Sequence, residues 1–223
     1  TIHTPPLLSK TEHGVWDLTP IARLYVDPLY MFVRADSPFK TIQDFIAYAK
    51  ANPNKLKVGG GTPGAGEHLV AYEMMKKVGI KITQVPFESG GDALTAVLGG
   101  HIDAAIGEPG ETLGQLEAKQ IRPLVVFTKK PVPSLGVPTM IELGYDVSLE
   151  KYRAVVAPKG LPQEVVDTLV EALKKAMEEP KFKAWAERAA LQPAFLGPEE
   201  FGKAMEEYDA QLKAYLKEIG LIK

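Results

Sequence analysis

The stretch LKVGGGTPGAGEHLVAYEMMKKVG, residues 56–79, decides the fold. Leu56 to Val58 read as a short strand and a glycine loop follows. Beyond the loop Ala71, Met74, Met75 and Val78 fall on one helical stripe, which Gly79 ends. The result is a strand-loop-helix unit. Its loop has three readings. Gly59, Gly61 and Gly64 satisfy G-x-G-x-x-G, the dinucleotide fingerprint when a strand precedes and a helix follows. The ribose-binding acid then belongs about 20 residues on, near Glu88. Pro63 weighs against this, because a residue without an N–H removes a pyrophosphate donor. In the second reading the loop is a tight turn whose glycines serve positive φ and close packing. In the third it holds some other anion. The segment F-E-S-G-G-D, 87–92, is a second small-residue loop at the end of the next strand. In a parallel sheet, both helix N-termini then face one crevice with free N–H groups and positive dipole ends, which suits a carboxylate.

Outward from this unit the alternation continues. TIQDFIAYAKANP, 41–53, opens on the capping box Thr41 to Asp44, places Ile42, Phe45, Ile46 and Ala49 on one face, and stops at Pro53. KITQVPF (81–87) is strand-like. Ser89 to Asp92 is a second capping box, ahead of a helix with Ala93, Leu94, Val97 and Leu98 inward. HIDAAIGE (101–108) reads as a strand, ETLGQLEAK (111–119) as a helix and IRPLVVFT (121–128) as a strand. Regular alternation of this kind predicts an α/β layer architecture. The flanks hold the strand candidates LYMFV (29–33) and YRAVVAP (152–158), then mostly helix. PQEVVDTLVEALKKAMEE (162–179) and KFKAWAERAAL (181–191) lead to a final helix with Phe201, Met205, Tyr208, Leu212, Tyr215 and Ile219 at helical intervals. So few strands leave these amphipathic helices short of a sheet to cover.

Composition narrows the function. A net charge of -2 and a pI near 6.1 give no electrostatic footprint for nucleic acid or an anionic membrane surface. No apolar run is long enough to span a bilayer, and TIHTPPLLSK is not a signal peptide. Without cysteine there is no disulfide, zinc-thiolate site or cysteine nucleophile. The four histidines, 3, 13, 68 and 101, lack metal spacing, and Ser89 is not in a nucleophile elbow. No catalytic set emerges.

The order and spacing of DLTPIARL (17–24), SPFKTIQDFIAYAKANPNKLKVG (37–59), GTPGAGEHL (61–69), VPFESGGDALTAVLGGHIDAAI (85–106), IRPLVVFT (121–128), VPTMIELGY (137–145) and VVAPKGLPQEVVDTL (155–169) resemble one family: the substrate-binding receptors of tripartite tricarboxylate transporters, the Bug receptors. The resemblance implies a two-lobed periplasmic binding protein fold, type II-like, with a cleft for small carboxylates. It implies partners in the membrane transporter subunits, an extracytoplasmic location, no catalysis, and neither cofactor nor metal. Nucleic acid and direct membrane insertion are not expected. One lobe is expected to comprise 1–35 and 126–223, the other 36–125. The family's P-G-G-G-x-D loop does not occur in these residues, so the first lobe is expected to be incomplete at its N-terminus. Ligand-facing positions carried over by resemblance are Thr62, Gly64, Ala65, Gly66 and His68, then Phe87, Glu88, Ser89, Gly90 and Gly91, and Glu108. Arg23 and Arg153 are candidate cation partners, each also readable as a structural salt-bridge residue. Thr1, His3 and Tyr152 are placed at the cleft edge by position alone.

One departure concerns charge. Glu67, Glu88 and Glu108 fall in or beside the expected site, where carboxylates repel an anionic ligand within about 4–6 Å. The expectation is a ligand with compensating positive charge, an ammonium or a chelated divalent cation. Two alternatives stay open: a nucleotide-dependent enzyme built on the Gly59–Gly64 loop, and a ligand-sensing regulatory domain of the same general fold.

Overall fold

The computed structural model describes residues 3–9, 11 and 13–223. In chain order the elements are α1 (Thr4–Leu8), β1 (Leu18–Val26), β2 (Tyr30–Arg34), α2 (Ile42–Ala51), β3 (Lys57–Gly60), α3 (Gly66–Val78), β4 (Thr83–Pro86) and α4 (Gly90–Leu98). There follow β5 (Ala104–Gly107), α5 (Pro109–Glu117), β6 (Ile121–Val126), β7 (Tyr152–Pro158), α6 (Gln163–Glu178), α7 (Pro180–Arg188), β8 (Gln192–Leu196) and α8 (Pro198–Glu218). They form two compact units, one of 27–151 with 188–190 and one of 1–26, 152–187 and 191–223.

The first of these holds a five-stranded sheet in the order β4-β3-β5-β2-β6. β3 runs parallel to β4 and β5, whereas β2 lies antiparallel between β5 and β6. After β3 the chain moves to one side for β4 and returns to the other for β5, so a topological switch point lies between β3 and β5. Open α/β sheets bind ligands in the crevice outside such a point. The local signals act as expected. Thr41 Oγ1 accepts from Asp44 N–H at 3.2 Å and Asp44 Oδ2 from Thr41 N–H at 2.9 Å, which fixes the start of α2. Ile42, Phe45, Ile46 and Ala49 are its buried residues. Gly79 ends α3 in the left-handed region at φ 73°. Ser89 caps α4, but the box is only half made, because its hydroxyl donates to Asp92 Oδ2 at 2.7 Å. Beneath the sheet, Ala93, Leu94 and Val97 pack with Tyr30, Phe32 and Ile102.

The other unit is a three-stranded antiparallel sheet, β7-β1-β8, with α6, α7 and α8. Phe201 and Met205 of α8 pack with Val15, and Tyr208, Leu212 and Tyr215 are buried further along the same stripe. Ile219 is half-buried. His3 is buried: its Nε2 is 2.5 Å from the Tyr152 hydroxyl and its Nδ1 3.6 Å from Asp209 Oδ1. Thr1 lies outside the described residues.

Strand pairing places two segments of the flanks. LYMFV does not serve the unit built on YRAVVAP. It becomes β2, hydrogen-bonded on both sides within the five-stranded sheet. The segment after β6 stays there too, through the Val126–Thr139 bridge and the Leu149 N–H to Phe127 carbonyl bond of 2.9 Å. The contact-defined units change at 26/27 and 151/152.

Candidate functional site

Three helices begin at the carboxyl edge of the parallel strands: α3 after β3, α4 after β4 and α5 after β5. Each leaves free N–H groups and a positive dipole end there. A cavity of about 290 Å³ opens at this edge. Gly61, Thr62, Ala65 and Glu67 line it from the first loop and turn, Glu88, Ser89 and Gly90 from the second. Ile106, Gly107, Glu108 and Glu111 come from β5 and α5, and Lys151 completes the wall. The α5 side is fixed by a buried 2.5 Å hydrogen bond between the Tyr30 and Thr112 hydroxyls. Burial holds the Tyr30 phenol far above its usual pKa, so it stays neutral.

Of the residues carried over from the sequence, the structure brings Thr62, Ala65, Glu88, Ser89, Gly90 and Glu108 onto the cavity. Gly64, Gly66, His68, Phe87 and Gly91 are not among its lining residues. Gly64 sits at φ 95°, a backbone requirement of the turn. Gly66 is buried at the start of α3. His68 is half-buried, and desolvation lowers its pKa, favouring the neutral imidazole. Phe87 packs against the core below the sheet. Close packing also explains Gly59, where a side chain would begin 2.5 Å from Ile102 Cδ1 and 3.1 Å from Phe87.

Neither arginine lines the cavity. Arg23 Nε donates to the Ala194 carbonyl at 3.0 Å, and Arg153 is exposed on β7. The cation on the wall is Lys151, which sequence reading missed. Its carbonyl accepts from Asp27 N–H at 2.7 Å, holding the segment near the amino end of β2. Its Nζ contacts Glu108 Oε1 directly and lies 3.4 Å from Glu67 Oε1. The Glu108 side chain is 5% exposed, that of Glu67 12% and that of Lys151 23%. Glu67 and Glu108 thus share a cation partner within the chain. Glu111, also unforeseen, reaches across α5 to the start of α4, where a side chain on Gly90 would meet its carboxylate. Among the described residues no group of three or more His, Cys, Asp or Glu is arranged to hold a metal ion.

Residues 1–221 match the tripartite tricarboxylate transporter family receptor, TctC. The chain belongs to this family. A UPF0065 protein of Cupriavidus necator is 31% identical over 210 residues, covering 94% of this chain and 64% of that one. Protein BugT of Bordetella pertussis is 27% identical over 180 residues, covering 80% and 54%. The chain thus spans between about half and two-thirds of these two curated relatives. A TctC solute-binding protein from Polaromonas, solved without ligand, is 31% identical at a TM-score of 0.81, covering 97% of this chain and 75% of that one. An R. palustris protein solved with adipate is 26% identical at a TM-score of 0.85, covering 97% and 74%. The fold is that of the TctC solute-binding proteins.

Proposed function

We propose that the chain is the ligand-capturing part of an extracytoplasmic solute receptor. It binds a small carboxylate at the carboxyl edge of the five-stranded sheet for membrane subunits of a tripartite transporter, and leaves the ligand chemically unchanged. The observation that carries this reading is the cavity at the switch point, into whose edge α3, α4 and α5 all begin. About 290 Å³ is at the lower end of small-molecule sites, which suits a short-chain acid better than a dinucleotide. The adipate of the R. palustris relative is a ligand of that kind. The close packing at Gly59 and the φ of Gly64 account for two of the loop's glycines without a pyrophosphate. No helix among the described residues is long and apolar enough to cross a membrane, and the transporter subunits supply the passage in this reading.

The test is to incubate the purified protein with adipate, desalt it, and identify by mass spectrometry what denaturation releases. Adipate recovered intact and in proportion to protein is expected. Recovery of a reaction product would replace the receptor reading with an enzymatic one.

A further inference from the structure

We propose that Lys151 is the cation that receives a ligand carboxylate in this cavity, with Glu108 as its fixed anchor and Glu67 as the partner the ligand displaces. The assignment rests on the receptor reading and names the ligand class: a plain short-chain dicarboxylate, preferred over its amino-substituted analogue.

An anion entering the cavity meets Glu67, Glu88, Glu108 and Glu111, and the opposing charge among the lining residues is Lys151 alone. Helix N-termini contribute only partial charges, so the ammonium decides whether a carboxylate is tolerated. Lys151 Nζ has three donors, and its two carboxylate partners are unequal. Glu108, nearly buried, is in direct contact. Glu67 stands at 3.4 Å, beyond the roughly 2.7–2.9 Å of a charge-assisted bond. A tightly held ammonium with one loose partner is ready to exchange that partner for a better-placed oxygen.

Glu67 also has stabilisation besides Lys151. Its other oxygen, Oε2, already lies against the glycine loop, 2.7 Å from where a side chain on Gly61 would begin. It belongs to the first turn of α3, where free N–H groups and the dipole stabilise a carboxylate. The dipole therefore offsets part of the charge left on Glu67 when Lys151 turns to the ligand. An α-ammonium on the ligand would instead compete with Lys151 for Glu67 and Glu108, which disfavours amino acids while Lys151 is present.

The test is calorimetric titration with adipate and with 2-aminoadipate of the wild type, Lys151→Gln, Lys151→Arg and Glu67→Gln, each checked for a cooperative melt. Wild type should prefer adipate. Lys151→Gln should weaken adipate binding by roughly tenfold or more, about 1.4 kcal/mol, and shift the preference toward 2-aminoadipate. Lys151→Arg should restore most of the affinity, and Glu67→Gln should tighten adipate binding. Adipate binding by wild type that neither Lys151→Gln nor Glu67→Gln alters would overturn the assignment and leave the receptor reading standing. Should Lys151→Gln fail to fold, an unaltered Glu67→Gln variant alone overturns it. A wild type that binds neither acid but does bind a tricarboxylate overturns the dicarboxylate assignment and leaves the receptor reading standing; one that binds no carboxylate overturns both.

Discussion

Replacing Lys151 by Met keeps the apolar stem and removes the ammonium, leaving Glu108 without its close partner at a position where only 4% of the residue is exposed. Breaking a fully buried pair from one side costs about 3–5 kcal/mol, because the remaining charge is stranded. Here the lysine side chain is 23% exposed and that of Glu67 12%, so water reaches one side of the cluster and the cost falls to about 1–3 kcal/mol. Glu108→Gln removes the charge that would be stranded. The double variant should therefore recover most of the loss, with a coupling of about 1–3 kcal/mol between the two sites. Urea unfolding at pH 7, followed by circular dichroism and analysed with a common slope, measures all four corners of the cycle. Additivity within about 0.5 kcal/mol, or a Lys151→Met variant as stable as wild type, would show that Lys151 and Glu108 do not act as a unit.

Two further outcomes follow from the scaffold. Gly79→Ala should cost about 1–2 kcal/mol, since nothing lies within 4 Å of the added carbon and the whole penalty is the left-handed backbone at φ 73°; unchanged stability in a thermal melt would contradict it. The Asp44 carboxyl is held below its usual pKa by the backbone N–H groups of Lys40 and Thr41. Its contribution is present above the unfolded-state value of about 4 and disappears as pH falls through the lower folded value. The stability gap between wild type and Asp44→Asn should accordingly be constant from about pH 5 to 7 and close on further acidification; a gap that widens toward low pH would reverse the sign of this argument.

What the sequence revealed depended on how local the deciding interaction is. The start and buried face of α2 could be read because its cap, Thr41 with Asp44, lies within one turn and its apolar spacing has the helical period. The switch-point loops were legible for the same reason: strand, small residues and helix follow one another directly. LYMFV was recognisable as a strand, but its partners were not, since residues buried on both faces say nothing about which sheet they enter. β1 escaped altogether. Thr19, Pro20 and Arg23 interrupt its apolar pattern, and its pairing with β7 shifts register at Pro20/Ala22 and at Arg23/Tyr25. β8 is five residues long and contains Pro193. At the site, Glu67 and Glu108 stood out as charges in the wrong place, whereas Lys151 is 84 and 43 residues from them. Nothing in the run Glu150-Lys151-Tyr152 marks the lysine as their counter-ion.

The receptor reading requires that the cavity at the β3/β5 switch point hold a small carboxylate. Isothermal titration of the purified chain with short di- and tricarboxylates, adipate among them, with ATP and NAD as controls, tests it most directly. At least one carboxylate should bind saturably at one ligand per chain, with binding abolished or strongly weakened by Gly90→Trp at the cavity wall, and neither nucleotide should give heat. Saturable nucleotide binding with indifference to every carboxylate, or carboxylate binding that Gly90→Trp in a folded protein leaves untouched, would contradict it.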